Sequence, residues 1–379
     1  MVPLKSKITA AGLMTGASVQ STPMAGTDVT VVGAGLYGSS LACALAREGM
    51  SVRLCERRSP TAGDTGRSFG MVRRHYSNAV TVSLAKRGCE LLMADRESAY
   101  VPTGYMVTVS PGQRAACEGN VALGQSLGVD TRLLEPDELA TVEPLIDADG
   151  IGCGAYEPDG GLVDASRYTL ARFAEAVSLG VDVAMGAEAE LPDDGSIVVV
   201  AAGCWSRQLL PELPVELHRI EIAVLRDAPV RAVVSDAVTN VVTRPVAGGG
   251  AWVVTYGGST RYALRDDCDG EPDPGYQDAV RTSLASRYPS IAGALYTGGW
   301  SGAYDVTPDW NPVVGWVRDG VFAVAGLSGH GLKLAPAIAE SAAAVIAGRE
   351  PRIDLHPLRF ERFAEGDLLR LAYGPGARA

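Results

Sequence analysis

The stretch DVTVVGAGLYGSSLACALAREGMSVRLCE, Asp28 to Glu56, decides how the rest of the chain is read. Asp28–Val32 is a continuous apolar run, the pattern of a strand buried on both faces. Gly33, Gly35 and Gly38 follow at the spacing G-x-G-x-x-G, and a helix is predicted over Ser39–Arg47, closing near Gly49. Ser51–Cys55 reads as the next strand and ends at Glu56, completing a βαβ unit. Gly33 permits the tight turn, Gly35 lets phosphates approach the backbone, and Gly38 lets helix and strand pack closely. A pyrophosphate would then meet the positive helix end at Leu36 and Tyr37. Glu56 lies 18 positions after Gly38, where a ribose-binding carboxylate belongs, with Arg57 directly behind it. NAD and FAD fit this turn equally well.

Working outward, 379 residues with 47% hydrophobic and 20% charged side chains describe an ordinary soluble globular chain with room for two domains. The charge is 33 − 44 = −11 without a basic run, which argues against nucleic acid or an anionic membrane as partner. No apolar run reaches membrane-spanning length. Seven scattered cysteines, an odd number without C-x-x-C, point to a reducing, cytoplasmic setting rather than to disulfides or a zinc cluster. Residues 1–27 read as a disordered leader, with Met24 a sensible alternative start; a signal peptide fits poorly because the apolar part is short and broken.

After Glu56, the Gly-, Ser- and Arg-rich RRSPTAGDTGRSFGMVRRHYSN is a long connection of the kind that carries function. Helices are predicted over Val80–Ala94, Ala115–Leu127 and Gln277–Tyr288, and strands over Thr103–Ser110, Ile197–Ala202 and Val321–Ala325. Val215–Leu264 alternates β-branched and polar residues, the mark of an antiparallel sheet. The fold class is therefore α/β (α+β): a discontinuous dinucleotide-binding domain (28–82, 145–214 and 303–379) with an inserted antiparallel-sheet substrate domain (83–144 and 215–302).

EPDGGLVDASRYTLAR, VVVAAGCWS, YDVTPDWNPVVG and AGLSGHGLKLAP extend the picture. Together with the glycine turn and Glu56, they make the chain from Asp28 onward resemble the FAD-dependent amine oxidoreductases that include D-amino-acid oxidase, glycine oxidase, sarcosine oxidase and dimethylglycine dehydrogenase. The resemblance implies FAD on a Rossmann-type half, a substrate on the antiparallel sheet, and hydride transfer from a carbon next to nitrogen to flavin N5, giving an imine. It places Gly329, His330, Gly331, Leu332 and Lys333 over the flavin, Arg67 and Ser68 near the cofactor, and Gly203 and Trp205 in its binding segment. Arg73 and Lys333 match the pair that holds a substrate carboxylate; Tyr256, Tyr304 and Arg244 are further pocket candidates.

Departures from the family pattern matter too. Glycine and D-amino-acid oxidases carry their carboxylate-holding arginine where Tyr304 stands. The flavin-linking cysteine of monomeric sarcosine oxidase falls at Gly302, and the linking histidine of dimethylglycine dehydrogenases near Arg67, so FAD is expected to be non-covalent. The oxygen-activating lysine falls near Val253, where no lysine occurs; the acceptor is oxygen or another molecule. The alternatives are a flavin subunit of a heteromeric amino-acid dehydrogenase, with a partner subunit, and a hydroxy-acid oxidoreductase on the same fold.

Overall fold

The strand β1 (Val29–Val32) is buried along its whole length and pairs in parallel with β2 (Val52–Glu56) on one side and Ile197–Val200 on the other. With neighbours on both edges and layers on both faces it has no solvent side, so its sequence runs apolar without alternation. Helix α1 (Leu36–Arg47) begins directly after Gly35, three residues earlier than Ser39, because the glycine turn feeds straight into it. The computed structural model describes residues 27–186, 196–256, 261–262, 268 and 270–373; residues 1–26 of the expected leader lie outside the described residues.

Among the described residues, the sheet around β1 has six strands in the order Val313–Arg318, Val321–Ala325, Ile197–Val200, β1, β2, Asp182–Met185. Its neighbours are parallel except for the hairpin at the Val313–Arg318 edge. Helix α1 packs against the helices Ala165–Ser178 and Gly331–Ile346, and α2 (Ala79–Ala94) against the latter. Their apolar stripes share one core with the sheet, including Val31, Leu41, Leu84, Leu334 and Ile338.

The larger sheet has nine strands among the described residues, with Tyr105–Val109 and Val233–Asp236 near its middle. It is antiparallel except where these two strands run parallel, a departure from the all-antiparallel expectation that the long chain between them makes possible. The expected domain boundaries shift as well. Cys153–Glu157 pairs with Tyr105–Val109 and Arg132–Leu134 in this sheet, not with the nucleotide side. Helix α2 crosses the boundary set at 82, because its Val82, Leu84, Ala85 and Leu92 belong to the β1 core. Leu295–Val306 runs unbroken through the boundary set at 302.

Period-two alternation gives this sheet two distinct faces. Ala223, Leu225, Ala251 and Val253 pack on Tyr276, Val280 and Leu284 of the helix Tyr276–Arg287. Ile220, Ile222, Val242, Trp252, Val254, Trp300 and Tyr304 share the opposite face. That face turns toward the nucleotide-side sheet.

Candidate active site

A cavity of about 410 Å³ is lined by residues of both sheets. Among the residues singled out from the sequence, Gly33, Gly35, Leu36, Tyr37, Glu56, Arg57, Arg67, Ser68, Gly203, Trp205, Gly329, Gly331, Leu332 and Lys333 line it, as do Tyr256 and Tyr304. Gly38, Arg73, Arg244 and His330 are not in its wall.

The nucleotide end is built by close backbone approach. Gly33 has φ +97°, and a Cβ at Gly38 would stand 1.6 Å from the Gly33 carbonyl oxygen, so α1 can settle on the turn only with glycine there. Gly38 therefore serves the site from behind. The Leu36 amide donates to Thr65 Oγ1 at 3.2 Å. The Glu56 carboxylate accepts from the Ala34 amide at 2.8 Å and the Arg58 amide at 2.7 Å, which fixes it at the end of β2 facing the cavity. Arg57 and Arg58 both sit over the Trp205 ring, 5.3 and 5.1 Å from its centre. A glycine cradle on a helix N-terminus, a carboxylate at ribose distance and flanking guanidiniums are the donor and acceptor set that an FAD dinucleotide requires.

The two ends of the chain meet in the middle of the cavity. Tyr37 donates its hydroxyl to the Gly331 carbonyl at 2.7 Å. Asp305 accepts from the Gly326 amide at 2.8 Å, and its carbonyl accepts from the Ser328 amide at 2.9 Å, so the loop before the helix Gly331–Ile346 is pinned to the strand Leu295–Val306. Burial pushes the Asp305 carboxyl up to about 7. Asp64 ties the same strand to the connection after β2 by accepting from the Ala303 amide at 2.8 Å. His330, expected over the flavin, instead packs edge-on against Tyr76, with ring centres 5.2 Å apart.

At the far end the wall is apolar: Phe69, Met71, Ile220, Ile222 and Val254, with Tyr256 and Tyr304. Arg244 lies beside this wall but is committed elsewhere. Its guanidinium stacks 3.9 Å from the Trp252 ring centre and donates to the Phe69 carbonyl. Arg73 is 1% exposed, stands 4.2 Å from the Tyr76 ring centre and donates to the His75 carbonyl. Its charge helps to hold the Lys333 ammonium below the ordinary lysine range. Val253 points away into the helix-covered core, and the strand's residue in the cavity wall is Val254.

The sequence profile of the FAD dependent oxidoreductase family DAO matches residues 28–345. The chain belongs to this family. A bovine FAD-dependent oxidoreductase domain-containing protein 1 is 28% identical over 90% of this chain and 85% of its own length. The N-methyl-L-tryptophan oxidase of Salmonella heidelberg (strain SL476) is 25% identical over 89% of this chain and 99% of its own. Among solved structures, the L-proline dehydrogenase of P. horikoshii superposes with a TM-score of 0.82 at 22% identity, covering 90% of this chain and 99% of that one. This DAO-family oxidoreductase thus has the fold that its glycine turn and C-terminal loop indicated.

Several residues of the site escaped the sequence reading. Asp305 sits inside the quoted YDVTPD, and only its burial against the Gly326 and Ser328 amides shows its role. Ile220, Ile222 and Val254 carried a usable signal, since alternate positions of neighbouring strands share one face. Thr65 and Phe69 lie in the long connection after β2, where no periodicity exists to read.

Proposed function

We propose that this DAO-family oxidoreductase oxidises the C–N bond of a secondary or cyclic amino acid, or a related amine, to an imine, with non-covalently held FAD. The observation that supports this best is the continuity of one cavity whose wall holds Gly33 and Glu56, the apolar Ile222 and Val254, and Lys333. FAD, when bound, supplies the acceptor for the two electrons and the hydrogen removed from the substrate carbon. The chain's own residues supply position and environment. Ile220, Ile222, Val254, Phe69 and Met71 receive an apolar side chain and exclude water, while the Tyr256 and Tyr304 hydroxyls orient the polar end. The similarity to an N-methyl-L-tryptophan oxidase supports a secondary amine with an apolar side chain. Gly302 offers no thiol for a flavin bond, and a Cβ there would stand 3.1 Å from Asp64 Oδ1. Among the described residues no helix is long and apolar enough to cross a membrane. The seven cysteines are free thiols.

The test is anaerobic mixing of the yellow protein with N-methyl, cyclic and D-amino acids while the flavin absorbance is followed. Bleaching by secondary amino acids is the expected result; bleaching by hydroxy acids alone would overturn the reading. Acid precipitation should release the yellow colour into solution. A second reading concerns the acceptor. Val254, the residue this strand puts in the cavity wall, brings no amine where sarcosine oxidase has its lysine, which favours an acceptor other than oxygen, carried by a partner subunit or a small carrier. Re-oxidation of the bleached protein is then slow in air and fast with an artificial dye.

A further inference from the structure

Arg244 keeps hydrogen-bond donors in reserve. It is half-buried on the strand Val241–Val246, and one terminal nitrogen donates to the Phe69 carbonyl. Its Nε is buried and has no hydrogen-bond partner among the described residues. The acid whose charge reaches it is Asp164, and that carboxylate already caps the helix Ala165–Ser178 by accepting from the Arg167 amide at 2.9 Å. Burial pulls the guanidinium down to about 10, which still leaves it charged at neutral pH. A buried charge with no carboxylate beside it is costly, and a bound anion would relieve it.

The packing presents the guanidinium edge-on. The Trp252 ring covers one face, its centre 3.9 Å away, and the Phe69 ring centre stands 5.8 Å off. A ring against the face leaves in-plane N–H donors for an anion. Gly70 makes the room: it has φ +78°, and a Cβ there would stand 2.8 Å from Arg244 Nη1. Phe69 and Gly70 both line the cavity, so the guanidinium lies directly behind its wall.

Strand register places Arg244 along the cavity. Tyr304 marks the end nearest the C-terminal loop, since a Cβ at Gly329 would stand 2.7 Å from its ring. From Tyr304 the strand Leu295–Val306 runs back through Gly302, opposite Ile220, to Trp300, opposite Ile222. Val224, the next residue on that face, pairs with Trp252, and Trp252 pairs with Arg244. Arg244 therefore stands beyond Ile222 and Val254, at the end of the apolar wall remote from the loop.

We propose that Arg244 anchors a carboxylate at the end of the substrate remote from the reacting nitrogen, so that the substrate is a secondary amine whose apolar stem ends in an anion. This rests on the amine-oxidation reading above and adds the far end of the molecule to it. The amine lies toward Tyr304 and the loop, and the stem lies against Ile222, Val254 and Phe69. The carboxylate accepts from the free edge of the guanidinium. An amine of the same shape without the anion leaves that edge unpaired, so the contact discriminates between the two.

The test uses two amines that differ in one group, N-methylbenzylamine and para-(methylaminomethyl)benzoate. Anaerobic bleaching of the FAD-loaded protein is followed against the concentration of each, and their kcat/KM values are compared. The carboxylate should be preferred about 10- to 100-fold, chiefly through KM. Arg244→Gln should abolish the preference. Arg244→Lys keeps the charge but loses the fork, and should fall between the two. A second arm reads binding without turnover: by calorimetry, para-ethylbenzoate should bind more tightly than para-ethylbenzamide by a similar factor, and Arg244→Gln should remove the difference.

No preference for the carboxylate in either arm, or a preference that survives Arg244→Gln, would overturn the proposal and leave Arg244 as a brace for Phe69 and Gly70. Where Arg244→Gln fails to fold, the wild-type preferences and Arg244→Lys decide the matter. Bleaching by neither amine, with para-ethylbenzoate still preferred, overturns the assigned substrate through its premise while the anion site stands. Bleaching by both amines alike overturns the anchor and leaves amine oxidation standing.

Discussion

Two buried cations in this molecule are treated in opposite ways. Arg362 is fully buried, and its guanidinium is saturated: Nε and one terminal nitrogen each reach Asp309 at 2.9 Å, and the Leu358, Arg359 and Asn311 carbonyls accept the rest. Asp309 is itself held by Thr307, the Asn311 amide and the Leu369 amide. Lys333 is equally buried but makes one long contact beside another cation. A buried charge is tolerated only when paired and hydrogen-bonded; otherwise the group surrenders it. The difference teaches where to look for chemistry in this fold. The saturated cation locks YDVTPDWNP to the C-terminal segment, whereas Lys333 stands in the cavity wall with its ammonium held below the ordinary lysine range.

Breaking the saturated side should have the largest effect. Arg362→Leu strands the Asp309 carboxylate and should cost about 3–5 kcal/mol of stability, seen as a large fall in thermal midpoint or loss of soluble protein. Lys333→Met inverts the pattern: the midpoint of the FAD-loaded protein should hold or rise, because a neutral side chain of similar length replaces a poorly satisfied amine, while substrate-driven bleaching collapses. A loss of stability like that of Arg362→Leu would erase the contrast.

Glu157 sharpens the comparison through pH. Burial lifts its carboxyl to about 7, as it does for Asp305. The folded protein therefore holds protons on these two groups that the unfolded chain releases, so their contribution to stability is full below the ordinary carboxylate pKa and is lost as pH rises through 7. Thermal midpoints should be lower at about pH 8 than at about pH 5, and Glu157→Gln should flatten part of that slope. The smallest effect belongs to an exposed pair. Arg47, with its side chain 57% exposed, meets Glu175 at the surface, and Arg47→Ala should change stability by no more than about 1 kcal/mol.

Much of the nucleotide half was legible because its information is local. The strand, the turn and the helix from Asp28 to Glu56 are contiguous, and Gly38 meets the backbone of Gly33 only five residues away. The loop Gly326–Lys333 was legible for the same reason: a buried strand, a cluster of glycines and an apolar helix follow one another directly. The substrate half was harder. Ile220, Val254 and Tyr304 come from three strands, and whether Val253 or Val254 faces the cavity is set by register, which shifts every side chain by one face per residue. Arg73 matched the family position for a carboxylate holder, yet its place behind Tyr76 and beside Lys333 is a packing outcome.

The sequence by itself determined that the chain carries a dinucleotide turn closed by a distant glycine-lysine loop, since dihedral freedom and apolar periodicity act over a few residues. Only the tertiary structure decided which basic residues reach the cavity, which are spent on carbonyls and rings, and that burial and the Arg73 charge hold Lys333 below the ordinary lysine range. Burial and long-range charge depend on every element packed around a group, and no local stretch of sequence contains them.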